Sequence, residues 1–196
     1  MDRRAALAEM SAFAHALPRD PSPGAADLLA FRRGMRALAG AVTVLATRLG
    51  DERWGLTATA ICSLSAEPPR LLACINQRGA SFAAFRESRL LSVNVLAENQ
   101  FAVAERFAGL DGSAEDRFAA GVWRDGAVEG LPVLADAAAT FECRVPELID
   151  AGTHAILIGD ILTVRSAPEA RPLLYCDGRF TGVADEIFDP RYGFQF

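Results

Sequence analysis

Thr57 and Thr59 alternate with Ala58 and Ala60 inside the run Trp54 to Asn76, W-G-L-T-A-T-A-I-C-S-L-S-A-E-P-P-R-L-L-A-C-I-N. Leu56 to Ile61 read as a strand of small and β-branched residues. Ser63 and Ser65 then read as a hydroxyl-bearing connection, stopped by Pro68-Pro69, before an apolar strand resumes and ends at Asn76. A strand uses Thr and Ala where Val and Leu would pack better when something flat or polar must lie against it. Thr offers a hydroxyl, and Ala lets that surface approach the backbone. Ser81 follows directly before an apolar helical stretch, where an anion would meet backbone N–H groups. Polar groups for a ring, then a helix start for a phosphate, is the layout a flavin mononucleotide needs. On residue types alone, the same stretch also reads as an amphipathic β-hairpin with a Pro-Pro connector.

Other residues extend this layout. Trp54 and Leu56 would wall the apolar end of such a ring, with Gly55 between them a further contact candidate. Asn76 presents both a donor and an acceptor, and its alternative task is to cap the turn before Gly79. Cys74 and Ile75 would contribute backbone and shape, and Ala80 flanks the helix start. Arg106 carries a forked, permanent positive charge suited to a phosphate, although an arbitrary helical Arg more often faces solvent. His154, after Gly152-Thr153 at the head of a strand, is either a turn residue or a ligand contact.

The elements that must position these residues are mostly strands. A helix is expected over Ala25 to Leu38, with Gly40 as its stop. Strands follow at Val42 to Thr47 and Trp54 to Ile61, around the turn Leu49-Gly50-Asp51-Glu52, then at Leu71 to Ile75 and Leu90 to Leu96. Ser81 to Ser88 and Gln100 to Phe107 read as helices. Asp111 to Gly130 reads as a long loop with a short helix at D-R-F-A-A. Ala139 to Leu148, His154 to Val164 and Leu173 to Cys176 complete the strands. With no regular β-α-β alternation and no G-x-G-x-x-G after a strand, a Rossmann domain is disfavoured. A mainly β fold with peripheral helices, an antiparallel barrel closed or nearly so, fits better. Residues 1–24 are expected to be an appendage and linker, 25–184 the domain, and 185–196 an aromatic tail.

At 196 residues the chain is within single-domain range, and its composition, 51% hydrophobic and 23% charged, is that of a globular protein. The net charge of −5 argues against wholesale binding to nucleic acid or an anionic membrane. Cys62, Cys74, Cys143 and Cys176 form no C-x-x-C pair. They are expected to be buried free thiols in a reducing compartment, and no metal site is expected. Without a signal-peptide core or an apolar run of about 20 residues, the cytoplasm is the expected location.

The run G-L-T-A-T-(x)5-S-(x)2-P-P, with C-I-N and Ser81 after it, resembles the flavin reductase-like family of short-chain NAD(P)H:flavin oxidoreductases. The resemblance extends through S-V-N-V-L at Ser92 to Leu96, A-E-R-F-A at Ala104 to Ala108, G-T-H at Gly152 to His154 and R-P-L-L-Y-C-D-G-R-F at Arg171 to Phe180. It implies an FMN-binding split β-barrel and a homodimer. The implied activity is hydride transfer from NADH or NADPH to FMN or FAD, with reduced flavin passed to a partner monooxygenase. It implies flavin contacts over Thr57 to Ala60 and Cys74 to Asn76, and a phosphate site at Ser81 and Arg106 with Phe107 beside it. His154 is implied to lie beside the flavin or nicotinamide site, as the candidate catalytic residue, without acid–base duty in hydride transfer. The turn carrying Tyr175, Gly178 and Phe180 would stand close by, with Phe180 stacking where Tyr is also common.

Overall fold

Burial patterns divide the strands of the computed structural model, which describes residues 27–109 and 116–183. β2 (Thr43–Leu49) and β6 (Leu90–Val95) are buried on both faces. β5 (Pro69–Asn76) and the start of β10 (His154–Ser166) alternate, with Leu71, Ala73, Ile75, Ala155 and Leu157 inward. The double burial follows from the helices. On one face, Leu45, Leu91 and Val93 pack with Phe82 and Phe85 of α2 (Phe82–Ser88). On the other, Val44 and Ala46 pack with Val103, Ala104 and Phe107 of α3 (Phe101–Ala108). Period-2 alternation in one strand therefore feeds two cores.

The main sheet is antiparallel, ordered β3-β2-β6-β9-β10-β5-β4, with β3 Glu52–Ala58, β4 Ile61–Ala66 and β9 Ala139–Ala151. Its two edges, β3 and β4, are neighbours in the chain, separated only by Thr59 and Ala60. Laid flat, seven strands would hold those edges about 29 Å apart. The link from Ala58 to Ile61 spans at most about 11 Å. The sheet must therefore curl until its edges approach. β3 and β4 do not pair, so it is not closed into a barrel, and a seam remains at Thr59-Ala60. The expected mainly β fold with peripheral helices holds, with that seam as its split.

Two small sheets complete the strands: β1 (Gly40–Ala41) with β11 (Leu174–Cys176) and β12 (Arg179–Thr181), and β7 (Trp123–Asp125) with β8 (Pro132–Leu134). Ser92 and Asn94, both fully buried, fasten β8 to the main sheet. Ser92 Oγ donates to the Pro132 carbonyl (2.5 Å), and Asn94 accepts from Leu134 N–H (2.8 Å) while donating to the Val44 carbonyl (3.1 Å). The S-V-N motif is thus a structural staple.

Helix α1 (Leu28–Arg36) belongs to a separate unit that ends at Ala37. Asp27 caps it by accepting the Leu29 N–H at 3.0 Å, and Gly40, expected to stop it, begins β1 instead. The expected appendage and linker over residues 1–24 and the aromatic tail lie outside the described residues. No helix among the described residues is long and apolar enough to cross a membrane.

Two expectations need correction. Ser63 and Ser65 belong to strand β4 and form no connection; the break falls earlier, at Thr59-Ala60. An edge strand bonded only to β5 needs no apolar alternation, so periodicity hid it. The cysteines are not uniformly buried: Cys62 is exposed on that edge, Cys74 and Cys176 are half-buried, and Cys143 is buried. Burial pushes the Cys143 thiol up to about 12, helped by the carboxylates of Asp160 and Glu142. At pH 8 only about one part in ten thousand of such a thiol is thiolate. Iodoacetamide at pH 8 is therefore expected to alkylate Cys62 in the folded protein and to reach Cys143 only after denaturation, as peptide mapping would show. Labelling of native Cys143 at the Cys62 rate would contradict its placement.

Candidate functional site

A cleft of about 450 Å³ opens at the seam. Its residues come from Leu56 to Ala60, from Cys74 to Asn76, from Gly79 to Ser81, and from Phe107, Ala108, Arg117 and His154. The Thr/Ala run thus stands where edge strand β3 turns into β4, with backbone that no strand covers on its outer side. Small side chains keep that wall low enough for a flat ring to reach the backbone. Thr57 Oγ1 donates to the Ala104 carbonyl at 2.7 Å, tying β3 to α3, while Thr59 is exposed and its hydroxyl makes no hydrogen bond among the described residues.

Gly55 organises one end. Its carbonyl accepts from Ser81 Oγ at 3.0 Å and from Arg117 Nη1 at 3.2 Å. A Cβ there would lie 2.7 Å from Phe107 Cε1, closer than real contacts allow. Gly55 is therefore required by the ring packed on it. Phe107, almost fully buried, stacks edge-on with Phe118 at 5.0 Å, so this wall is rigid.

The cation in the cleft is Arg117, in the single turn Arg117–Ala119. Its Nη1 also reaches the Phe107 carbonyl at 3.4 Å. Two carbonyls thus hold one nitrogen of a fork whose remaining donors are available to an anion. Arg106, half-buried on α3, is not among the lining residues. Ser81 is buried at the start of α2, its hydroxyl proton committed to Gly55. The D-R-F-A-A segment was visible in the sequence. What it lacked was any sign that a residue 62 positions from Gly55 would return to it.

Asn76 and His154 face each other across the β5–β10 ladder. Asn76 Oδ1 accepts the Arg78 N–H at 2.9 Å, the turn-capping alternative, which leaves its amide N–H₂ for the cleft. His154 Nδ1 pairs with Thr153 Oγ1 at 2.9 Å, which leaves Nε2. Gln77 holds the turn below, donating to Asp150 Oδ1 (3.0 Å) and the Gly152 carbonyl (2.9 Å).

The cleft extends both ways. Through Ala80, Ser81 and Arg117 it joins a space of about 280 Å³ lined by Arg53, Trp54, Gly55, Asp116 and Phe118. The Trp54 indole N–H is buried there with no acceptor among the described residues. Through Thr57 to Thr59 it joins a space of about 180 Å³ beside Tyr175 and Phe180. These two rings pair across β11–β12 at 5.4 Å between centroids. Asp177 and Gly178, both with positive φ (50° and 79°), make the two-residue turn between those strands. Gly178 thus shapes the hairpin and lines none of these clefts.

A flavin nucleotide combines a flat ring with polar edges, a polyol and at least one phosphate. A low Thr/Ala wall with an uncovered backbone edge suits the polar ring edge, aromatic side walls suit the ring faces, and an anchored guanidinium suits a phosphate. Fold and site together define an antiparallel β protein of the flavin reductase class. The chain belongs to the flavin reductase like domain family, which it matches over residues 35–184. It is 40% identical over 154 residues to the FMN reductase (NADH) RutF of Variovorax paradoxus (strain S110), covering 79% of this chain and 84% of that protein. Among solved structures it resembles the Streptomyces globisporus C-1027 NADH:FAD oxidoreductase SgcE6 in complex with NAD and FAD fragments. There the TM-score is 0.76 and the identity 30%, over 83% of this chain and 96% of that one. It also resembles BorF, the flavin reductase component of a bacterial two-component tryptophan halogenase. That match has a TM-score of 0.74 and 32% identity, over 82% of this chain and all of BorF (100%).

Proposed function

We propose that this protein is an NADH-dependent flavin reductase that acts on FMN and releases reduced flavin to a partner monooxygenase. The observation that carries this reading is one cleft with a small-residue strand edge as its wall, an anchored cation at one end and a histidine on the adjoining ladder. When bound, the flavin accepts a hydride from the reduced nicotinamide, and the protein's task is to hold both rings in register. Arg117 meets the flavin phosphate, and the backbone of β3 at Leu56 to Ala60 meets the ring edge. Asn76 donates from its amide. His154 Nε2 serves the nicotinamide side, with Tyr175 and Phe180 as an apolar wall. The Thr57 and Ser81 hydroxyls already donate to protein carbonyls, so few side-chain donors grip the flavin. This favours a reductase that exchanges its flavin over a carrier that keeps it.

The exposed apolar residues Leu162 and Val164 on β10 and Leu64 on β4 support a homodimer, which light scattering would test. The exposed thiol of Cys62 suits the reducing cytoplasm. To test the activity, NADH oxidation by the purified protein is followed with and without added FMN. Flavin-dependent turnover is expected. Flavin binding without NADH oxidation would establish the carrier instead.

His154→Ala is expected to raise the KM for NADH while leaving FMN affinity within about threefold, and His154→Asn to retain more activity than His154→Ala. Unchanged kinetics in both variants would reduce His154 to a turn residue.

A further inference from the structure

The chain continues past Val183 as A-D-E-I-F-D-P-R-Y-G-F-Q-F, a short stretch that carries Phe188, Tyr192, Phe194 and Phe196. It follows the part shared with the flavin reductase like domain family, which ends at residue 184. Aromatic side chains at this density gain more from an apolar surface than from water. An open groove of about 400 Å³ stands where the described residues end, lined by Glu98, Phe101, Leu173, Phe180, Thr181 and Gly182. Leu173 is buried there, whereas Phe101, the first residue of α3, is 52% exposed. The groove shares none of these residues with the flavin cleft.

Phe180 connects this groove to the site. It lines the groove and also, with Tyr175, the space of about 180 Å³ that joins the flavin cleft. We propose that the aromatic segment 185–196 docks in the groove of its own chain and braces Phe180 from behind. The Tyr175–Phe180 wall is then fixed on both sides, by the ring pair at 5.4 Å and by the docked segment. The consequence for NADH rests on the reading of that wall as the nicotinamide side.

The place where the segment begins selects it over other occupants. Gly182 is itself a groove wall, and Ile187 and Phe188 follow within six residues, a reach of at most about 20 Å. So short a tether holds these side chains beside the groove at an effective concentration on the order of mM. A second copy or another protein must supply that concentration itself.

The test is hydrogen–deuterium exchange of the full chain without ligand, read by mass spectrometry over residues 185–196. Wild type is compared with Phe101→Ser, Phe101→Leu and a variant combining Phe188→Ser, Tyr192→Ser, Phe194→Ser and Phe196→Ser. Wild-type amides are expected to exchange at least about tenfold more slowly than those of the free peptide of the same sequence. Phe101→Ser and the four-serine variant are expected to lose that protection, and Phe101→Leu to keep most of it. Exchange of the β2 amides reports whether each variant is folded; should Phe101→Ser not fold, the four-serine variant changes none of the groove's own residues. Peptide-like exchange in the wild type would overturn the docking. Protection that falls on dilution would also overturn it, by giving the groove to the segment of a second copy. In steady-state kinetics the four-serine variant is expected to raise the KM for NADH about fivefold, with the Kd for FMN within about twofold. Lost protection with an unchanged KM would overturn the bracing of Phe180, as would equal weakening of NADH and FMN. Exchange is read without flavin, so a protein that oxidised no NADH would fail the proposed function while the docking still stood or fell by its protection.

Discussion

Arg117→Ala is expected to weaken FMN by roughly tenfold or more, while riboflavin, which has no phosphate, loses much less. A charge-assisted hydrogen bond contributes about 1.5–3 kcal/mol, and about 1.4 kcal/mol is a factor of ten. Riboflavin is the internal control, because Arg117 also donates to the carbonyls of Gly55 and Phe107. Any loosening of that wall would act on both ligands. Arg117→Lys should recover only part of the loss, since an ammonium cannot bond both carbonyls and a phosphate in the same fork geometry. The same truncation at Arg106, outside the lining residues, should affect the two ligands alike. If FMN and riboflavin weaken equally in Arg117→Ala, Arg117 is structural and the phosphate must be met elsewhere. Titration of all variants with both ligands decides between these outcomes.

Gly55→Ala should damage stability and flavin binding together. Its Cβ would lie 2.7 Å and 3.0 Å from two atoms of the Phe107 ring and 3.1 Å from the Leu45 carbonyl oxygen. The ring cannot swing away freely, because Phe118 and Trp123 pack on it at centroid distances of 5.0 Å and 5.2 Å. Overpacking of this kind costs about 1–3 kcal/mol, and a chain of this size loses about 2–4 °C of melting temperature per kcal/mol. A drop of about 2–12 °C is expected, with weaker binding of FMN and riboflavin alike, because Phe107 is itself a cleft wall and the Gly55 carbonyl anchors both Ser81 and Arg117. Gly34→Ala is the matched control. It adds the same methyl in mid-helix with nothing within 4 Å, so it should leave stability unchanged or slightly raised. Wild-type melting and binding in Gly55→Ala would mean that the wall around Phe107 yields more easily than its packing implies.

The parts of the site that use local chemistry were legible in the sequence. Thr57 to Ala60 stood out because small and hydroxyl side chains are unusual where a strand has a core to fill. The turn carrying Tyr175, Gly178 and Phe180 was expected, and the structure makes it a two-residue hairpin at Asp177 and Gly178, both with positive φ. Ser81 was read correctly as a helix start, although its hydroxyl caps no helix N–H and donates to the Gly55 carbonyl instead. The family motifs carried the fold class. Periodicity failed at β4, an edge strand in which Ile61 packs against the core but Cys62 to Leu64 are exposed, so no alternation is imposed along it.

Only the tertiary structure decided which arginine enters the cleft. Arg106 and Arg117 are chemically identical and both precede phenylalanine, so residue type could not separate them. The curl of the sheet separates them: it brings edges β3 and β4 together at Thr59-Ala60, and the stretch after α3 then lays Arg117 on the Gly55 carbonyl. Alternation and turn chemistry act over a few residues and leave their mark in the order of side chains. Seam position and the return of a distant cation are consequences of packing the whole sheet, which no local run of residues encodes by itself.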